Sequence, residues 1–340
     1  MMRHGIWRSI GLMLTLLPHA VSSAGQRLAT QERPIPLVPN RDGNSVEFDT
    51  EQMAGTIRLD GAYHGVTRLL DKRTGRQVVD PRYSALNLFK LHAVNQYMGQ
   101  PRTMERVTKL SPRAVEVTWP ATPAHKAEIT ARYEVIDPAA LDVTVTVRSQ
   151  GTYPAYELFM PSYFDKALRP HVYLQVARGR GKPPELVLPV VNDVFRGTML
   201  VFPRDAHAAR HCLDGRWDRD EGDAPIVPQT PARRYAHCLA FLTDCEKQVA
   251  AVLMADPRCC YAISTRYHAD NDADRLTTYS AFDFSLFGHD LLPGDVRTAR
   301  VRLALTALDG DMSQPLKLYQ AFVADTAAHD HQLPEKETAP

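Results

Sequence analysis

The 340-residue chain lacks an excess of charge of either sign, since 40 lysines and arginines stand against 39 aspartates and glutamates. This balance gives no electrostatic reason to expect a nucleic-acid partner or a membrane-surface role. After the first 24 residues the chain also lacks any apolar run long enough to span a membrane. GxSxG, HExxH, P-loop and dinucleotide-binding motifs are missing as well, so we expect no cofactor.

Cysteine is scarce, and no pair has the CxxC spacing that is typical of zinc sites. The five cysteines all lie in the second half, at positions 212, 238, 245, 259 and 260. An odd number leaves at least one thiol free or paired between chains. Cys238 and Cys245 are spaced to face each other across a hairpin. The acidic stretches 218–223 and 270–274 could bind calcium, but 270–274 lacks the glycine and glutamate of a calcium loop and solvated turns are the favoured interpretation of both, so we expect no metal site.

The N-terminus has the pattern of a secretory signal peptide. Basic Arg3 and Arg8 precede an apolar stretch over 10–17, and small residues follow at 22–24. We therefore expect residues 1–24 to be removed and the mature protein to be periplasmic or secreted. The expected organisation is one domain over 25–330 with a flexible tail over 331–340.

Apolar and polar residues alternate with a period of two through much of the chain, which predicts half-buried strands. The clearest stretches are 115–119, 127–135, 141–148 and 300–306. Further strands are predicted over 64–70, 76–79, 84–92, 105–110, 154–162, 171–177, 185–191, 197–202, 234–243, 247–255, 259–267 and 276–287. With one helix over 313–327 and long loops over 92–104 and 204–233, the pattern indicates an all-β antiparallel sandwich or barrel.

Three motifs resemble the galactose-mutarotase-like superfamily, also called aldose epimerase-like. They are the Gly-Ala-Tyr-His-Gly-Val start at 61–66, the strand 156–165 with its Ser-Tyr-Phe core, and the Leu-Leu-Pro-Gly-Asp turn at 291–295. The resemblance covers roughly residues 60–310 in the order of elements. It implies a large antiparallel β-supersandwich with one C-terminal helix, and a carbohydrate ligand.

The chain departs from that superfamily at the residues that carry its chemistry. The family places a catalytic histidine two residues before the Tyr-Phe pair, where this chain has Pro161. The acid nearest to the family's glutamate base is Asp283, in the stretch Ala-Phe-Asp-Phe. The chain therefore resembles a divergent member without the usual catalytic histidine, and the resemblance does not imply epimerisation by the usual pair.

The strand 156–165 carries the candidate catalytic residues Glu157, Tyr163 and Asp165. Their even spacing places all three on one face of a regular strand. Carboxylates and a phenol are groups that serve as general acids and bases on sugars. The competing interpretation is a core tyrosine with two solvated carboxylates.

Other residues are candidates for binding rather than for chemistry. A planar guanidinium suits an anionic group such as a uronate carboxylate, and an exposed tryptophan in a long loop suits stacking on a sugar. The candidate substrate-binding residues are His92, Asn95, Tyr97, Arg102, Trp217 and His289.

Three functions remain open from the sequence. The first is an exported enzyme that performs acid/base chemistry at a sugar carbon, as an epimerase, lyase or hydrolase. The second is a non-catalytic carbohydrate-binding protein, which Pro161 favours, and the third is a structural envelope protein. Turnover separates the first two, and a co-purifying protein partner would favour the third. The sequence does not determine the oligomeric state.

Overall fold

The computed structural model describes residues 35–94, 96–176, 181–190, 199–212, 233–266, 279–308 and 310–330. Within them the chain forms three antiparallel sheets. The all-β class predicted from the alternating pattern is confirmed.

The strands are numbered in chain order. The first seven are β1 (Val38–Pro39), β2 (Ser45–Asp49), β3 (Met53–Arg58), β4 (Gly65–Asp71), β5 (Arg76–Gln77), β6 (Lys90–Ala93) and β7 (Gln96–Gly99). The next seven are β8 (Val107–Ser111), β9 (Ala114–Trp119), β10 (Ala127–Ile136), β11 (Ala140–Ser149), β12 (Tyr153–Phe164), β13 (Arg169–Leu174) and β14 (Glu185–Val187). The last six are β15 (Leu200–Pro203), β16 (Tyr235–Asp244), β17 (Val249–Ala255), β18 (Cys260–Arg266), β19 (Ser280–Leu291) and β20 (Val296–Ala307).

The largest sheet has nine strands in the order β14-β13-β16-β17-β20-β11-β10-β9-β8. Its centre is built from the most regular alternation in the sequence. The hairpin of β10 and β11 pairs without a break from Ala127 opposite Ser149 to Ile136 opposite Ala140. Every second side chain of β10, from Ala127 to Val135, is buried, as the period of two predicts.

The five-stranded sheet is a meander in the order β1-β2-β3-β4-β5. The turn between its last two strands was predicted, and Asp71 holds it by accepting hydrogen bonds from Thr74 Oγ1 at 2.5 Å and Arg73 Nε at 2.8 Å. The first three strands were not predicted. Burial does alternate along β2 and β3, but β3 has Gly55 in place of a large apolar residue, where the Phe48 ring leaves no room for a Cβ.

The six-stranded sheet has the order β15-β18-β19-β12-β6-β7. One of its faces contributes Leu158, Met160 and Phe284 to the main core, which also takes side chains from the other two sheets. Its opposite face carries Phe159 and Ala262 in a smaller, separate apolar cluster. We call this opposite face the second face.

Helices are few among the described residues. A single 3-10 turn spans Pro101–Thr103, α1 spans Ala206–His211, and α2 spans Gln314–Asp330. α2 agrees with the predicted helix over 313–327, whereas α1 falls in a stretch predicted to be a loop. Asp205 caps α1 by accepting a hydrogen bond from Ala208 N at 2.8 Å, a start signal that the sequence does carry.

The loop predicted over 92–104 is wrong, because His92 lies in β6 and Tyr97 in β7. The cysteine hypothesis is wrong too: Cys238 lies within β16 and Cys245 in the turn that follows the same strand. The described cysteines are all free thiols.

No helix among the described residues is long and apolar enough to cross a membrane. The signal peptide and the tail lie outside the described residues, and the single domain over 25–330 stays a prediction.

Candidate functional site

The second face of the six-stranded sheet carries the polar groups of the candidate site. In β12 the odd-numbered residues point to this face, because the even-numbered Leu158, Met160 and Phe164 belong to the main core. Tyr163 lies opposite Ala281 of β19, and Pro161 lies opposite Asp283. On the next strand Ser264 lies opposite Asp283 and Arg266 opposite Ala281. Directly opposed residues share a face, so Tyr163, Asp283 and Arg266 lie on it together.

Four tyrosines pack against one another at this end of the sheet, and we call them the tyrosine cluster: Tyr63, Tyr83, Tyr163 and Tyr279. The rings of Tyr83 and Tyr163 are stacked with centroids 4.7 Å apart. Tyr279 meets Tyr163 edge-on at 5.0 Å, and Tyr63 meets Tyr83 edge-on at 5.0 Å. Tyr163 is buried, while the other three rings are half-buried. The cluster thus presents apolar ring surface at the rim and a buried phenol beneath it.

Backbone hydrogen bonds explain why these tyrosines meet. The segment after β5 runs along β12, with Asp80 N donating to Tyr163 O at 3.2 Å and Tyr163 N donating to Ser84 O at 3.1 Å. This pairing sets Tyr83 beside Tyr163. Ser84 Oγ in turn donates to His64 O at 2.8 Å, which holds the segment that carries Tyr63 against the same place.

Asp283 lies beside this cluster. Its side chain is fully buried, and no donor among the described residues meets hydrogen-bond geometry at either carboxylate oxygen, although the Ser162 backbone lies near enough to stabilise the carboxylate weakly. Burial raises the pKa of Asp283 well above its ordinary value, against smaller opposing effects of the Ser162 backbone and of Arg266. Asp283 therefore keeps its proton to a higher pH than an exposed aspartate does.

Burial and the nearby Asp283 both raise the pKa values of Tyr163 and Tyr279. Burial raises the pKa of Tyr163 above its ordinary value, and the nearby Tyr279 and Asp283 add to the effect. Burial likewise raises the pKa of Tyr279 to about 12. Both phenols therefore stay protonated and remain hydrogen-bond donors in the neutral range.

Arg266, the last residue of β18, is the cationic group of the site. It is half-buried, and its Nε is enclosed without a hydrogen-bond partner. Within the described part of the chain no carboxylate lies within ion-pair distance of its guanidinium. Ser285, two residues along β19 from Asp283, adds a buried hydroxyl that also has no partner there. Buried polar groups are usually satisfied, so this concentration of unsatisfied groups on one sheet face marks the site.

Glu157 shares the second face with Tyr163, as the even spacing predicts, but the two do not meet. Six residues of extended strand separate them, about 20 Å, and Phe159 of the smaller apolar cluster lies between. Glu157 is buried opposite His92 of β6. It raises the pKa of Tyr261 as a lesser effect beside burial, which places it at the other end of the face.

Asp165 lies one residue beyond the end of β12 and is not in the candidate site. Its carboxylate accepts a hydrogen bond from Arg76 Nη2 at 3.0 Å and one from Ala167 N at 2.9 Å. A carboxylate engaged in this way serves the fold. We therefore take Asp283, and not Asp165, as the carboxyl of the candidate site.

The predicted binding residues of the former loop lie at the Glu157 end. His92 is buried with its ring 6.4 Å from the exposed ring of Tyr97. Arg102 packs its guanidinium 4.2 Å above the Phe89 ring and donates from Nε to Gln100 Oε1 at 2.7 Å. Asn95 and Trp217 lie outside the described residues. The binding roles of these residues stay predictions.

His289 lies away from the tyrosine cluster, near the end of β19. Its Nε2 is 3.1 Å from Arg258 O. It lines an open groove of about 490 Å³ together with Gln175, Arg204, Tyr235, Ala236, Pro257 and Arg258. Both arginines of this groove already form ion pairs, Arg204 with Asp205 and Arg258 with Asp256.

Sequence reasoning missed four members of the site as functional residues: Tyr63, Tyr83, Arg266 and Tyr279. It noted Asp283 only as the acid nearest to a family position. A signal was present, because a single aspartate stands in the otherwise uncharged stretch Ser-Ala-Phe-Asp-Phe-Ser-Leu-Phe over 280–287. A charged residue in a strand buried on both faces is rarely structural without a partner.

The site combines apolar rings, phenol donors, a buried carboxyl and a guanidinium. Across the described residues no three His, Cys, Asp or Glu side chains are placed to hold a metal ion. A carboxyl with a raised pKa beside protonated phenols provides general acid groups, and Arg266 provides a fixed positive charge.

No protein-family model and no curated protein matches the chain. Solved structures do, at low identity. A TPR-domain-containing protein from Parabacteroides distasonis is 11% identical over 79% of this chain and 48% of its own, with a TM-score of 0.48. A GalM/aldose epimerase homologue from C. elegans is 10% identical over 82% of this chain and 100% of its own, at 0.45. Galactose 1-epimerase from Lactobacillus acidophilus is 11% identical over 82% and 99%, at 0.40.

This chain spans about half the length of the Parabacteroides protein and nearly all of the two epimerase structures. With TM-scores below 0.5 the similarities say nothing about ligand or chemistry.

Proposed function

We propose that this protein is a carbohydrate-active protein whose sugar site is the tyrosine cluster with Asp283 and Arg266. The observation that carries the proposal is the fully buried Asp283 carboxyl, which has no hydrogen bond among the described residues. Leaving such a group unsatisfied costs about 1–3 kcal/mol. A ligand with several hydroxyl groups removes that cost by bonding to it.

The tyrosine rings supply the other half of sugar recognition. A pyranose has apolar C–H faces and a polar edge, and it binds where aromatic surface lies next to a few convergent polar groups. The half-buried rings of Tyr63, Tyr83 and Tyr279 offer that surface, while Asp283 and Ser285 lie deeper on the same sheet.

The chemistry that this arrangement favours is proton transfer at a sugar carbon or its oxygen. Burial raises the pKa of Asp283 because it disfavours the carboxylate, and this suits Asp283 to act as the general acid. Tyr163 lies on the same face, diagonal to Asp283 across β12 and β19. Its phenol serves as a second hydrogen-bond donor to the substrate. The bond and the stereochemistry follow from the substrate and are not specified by these residues.

Export belongs to the same proposal, on the support of the N-terminal pattern of basic, apolar and small residues. The site would then work in the periplasm or outside the cell. N-terminal sequencing of the protein recovered from a periplasmic fraction checks this, with a first residue near Gly25 expected.

The test is binding and turnover of a panel of neutral sugars, uronic acids and their oligosaccharides by the wild type, Asp283→Asn and Tyr163→Phe. General acid–base groups contribute about 10²–10⁴-fold to a rate, so we expect Asp283→Asn to lose turnover by that factor with an unchanged melting temperature or a raised one. Tyr173→Phe, on β13 of the nine-stranded sheet, is the matched control and should keep full activity.

Full turnover by Asp283→Asn would contradict the assigned acid. Saturable binding without product in the wild type would overturn the catalytic part and leave a carbohydrate-binding protein, which is the alternative that Pro161 favours. No binding to any member of the panel would contradict the proposal as a whole.

A further inference from the structure

The candidate site holds a positive charge, Arg266, that has no carboxylate partner among the described residues. Arg266 is half-buried with an enclosed Nε. Four other half-buried arginines among the described residues, Arg76, Arg204, Arg233 and Arg300, each contact a carboxylate at 2.6–3.1 Å. Arg266 differs from them while lying on the same face as the buried Asp283.

Arg266 and Asp283 are diagonal neighbours on the second face. Arg266 lies opposite Ala281, and Asp283 is two residues further along the same strand. Diagonal neighbours of this kind are about 7–8 Å apart at their Cα atoms, within reach of long side chains. Nevertheless no ion pair joins the two side chains, since none is found within 4.0 Å.

Arg266 and Asp283 can both donate hydrogen bonds. A guanidinium has N–H donors and no acceptor, and a protonated carboxyl donates its O–H. Burial raises the pKa of Asp283, so its carboxyl compensates the charge of Arg266 less than an exposed aspartate would. The half-buried ring of Tyr279 lies beside them, and burial raises its pKa to about 12, so it carries no charge in the neutral range.

We propose that the site is specific for acidic sugars, with Arg266 binding the carboxylate of a uronic acid residue while the tyrosine cluster packs on its ring. This specificity rests on the proposed function of the site. A planar carboxylate matches the two parallel N–H donors of a guanidinium, which favours a uronate over a point anion. The neutral hexose of the same configuration would leave Arg266 unpaired.

The experiment measures dissociation constants by calorimetry for two matched pairs, glucuronate against glucose and galacturonate against galactose, as monosaccharides and as short oligomers. A charge-assisted hydrogen-bonded pair corresponds to about a 10–100-fold preference. We expect the wild type to prefer the uronate of at least one pair by that factor, with the preference falling as salt is raised. Arg266→Gln should remove the preference, so that the uronate and the neutral sugar of each pair bind with equal affinity.

Arg266→Lys and Arg297→Gln are the controls. Lysine keeps the charge and loses the planar fork, so part of the preference should return. Arg297 is exposed on the nine-stranded sheet, and its replacement should change nothing. Equal affinity for the two members of both pairs, or a preference that survives in Arg266→Gln, overturns the uronate specificity and leaves the proposed function standing. Absence of binding to every sugar, neutral or acidic, contradicts the proposed function itself.

Discussion

Two buried titratable residues show how the environment of a single side chain sets its charge. Asp283 and His64 are both fully buried, and in both cases burial favours the neutral form. For Asp283 this raises the pKa, and for His64 it lowers the pKa to about 3. The Nε2 of His64 accepts a hydrogen bond from Leu88 N at 3.1 Å, which only a neutral ring with its proton on Nδ1 can do.

His64 should therefore weaken the fold in mild acid. Below pH 6.5 the unfolded chain takes up a proton on this ring and the folded chain does not until about pH 3, so stability falls as the pH falls. Between pH 7 and pH 5 the loss from this residue is about 2 kcal/mol. We expect His64→Gln, whose amide can still accept from Leu88 N, to lose that much less between the two pH values in urea denaturation.

The exposed His207 provides the control, because His207→Gln should keep the pH dependence of the wild type. An unchanged pH dependence in His64→Gln would contradict the role given to His64.

At the scale of single residues the sequence singled out Tyr163 and missed the tyrosines that pack around it. Nothing local distinguishes Tyr83 or Tyr279 from the remaining tyrosines.

At the scale of secondary-structure elements, one carboxylate joins two strands and a helix. Asp142 of β11 is buried and accepts hydrogen bonds from Arg302 Nε and Arg300 Nη2 of β20, both at 2.6 Å. Arg300 also donates from Nη1 to Asp325 of α2 at 2.6 Å. The Phe322 ring of the same helix lies 5.2 Å and 5.4 Å from the two guanidinium carbons. This network fixes α2 against the nine-stranded sheet.

Removing the charge of Asp142 should be strongly destabilising. Asp142→Asn removes the carboxylate that the buried Arg302 shares with Arg300, and Arg300 keeps only its contact with Asp325. Breaking one partner of a buried ion pair costs about 3–5 kcal/mol, which urea denaturation at pH 7 measures. Glu134→Gln, which removes an ion pair with Arg132 at the surface, should cost less than about 1 kcal/mol. Equal midpoints for the two variants would refute the network.

Elements were predictable where local pattern and long-range pairing agree. β10 and β11 alternate without a break and form a long hairpin at the predicted place. The short strand β7 was not predicted, because its four residues are exposed or half-buried and carry no period of two. Its pairing with β6 creates the strand, and sequence periodicity does not report on pairing.

In the whole molecule, a single guanidinium connects residues from all three sheets. Arg76 of β5 contacts Asp165, just after β12, at 3.0 Å and Asp244, at the end of β16, at 3.1 Å. These residues belong to the five-stranded, six-stranded and nine-stranded sheets in that order. The role of Asp165 is thus to join sheets.

Arg76→Gln should loosen the assembly of the three sheets. The side chains are partly exposed, so solvent screens the contacts and the expected cost is about 1–2 kcal/mol rather than that of a buried pair. Urea denaturation provides the measurement. Arg148→Gln is the matched control, since its Nε lies 3.9 Å from Glu128 and its side chain is 62% exposed. A midpoint for Arg76→Gln equal to that of the control would show that the bridge contributes nothing.

By itself the sequence determined the all-β class, most strands and the C-terminal helix, because alternation and turn residues act between neighbours along the chain. Only the tertiary structure decided which acid belongs to the candidate site. Asp165 and Asp283 read alike in sequence, yet one is neutralised by Arg76, 89 residues away, and the other is buried on a sheet face without a hydrogen bond among the described residues. Partners and burial arise from strand order, and strand order is set by packing across the whole core.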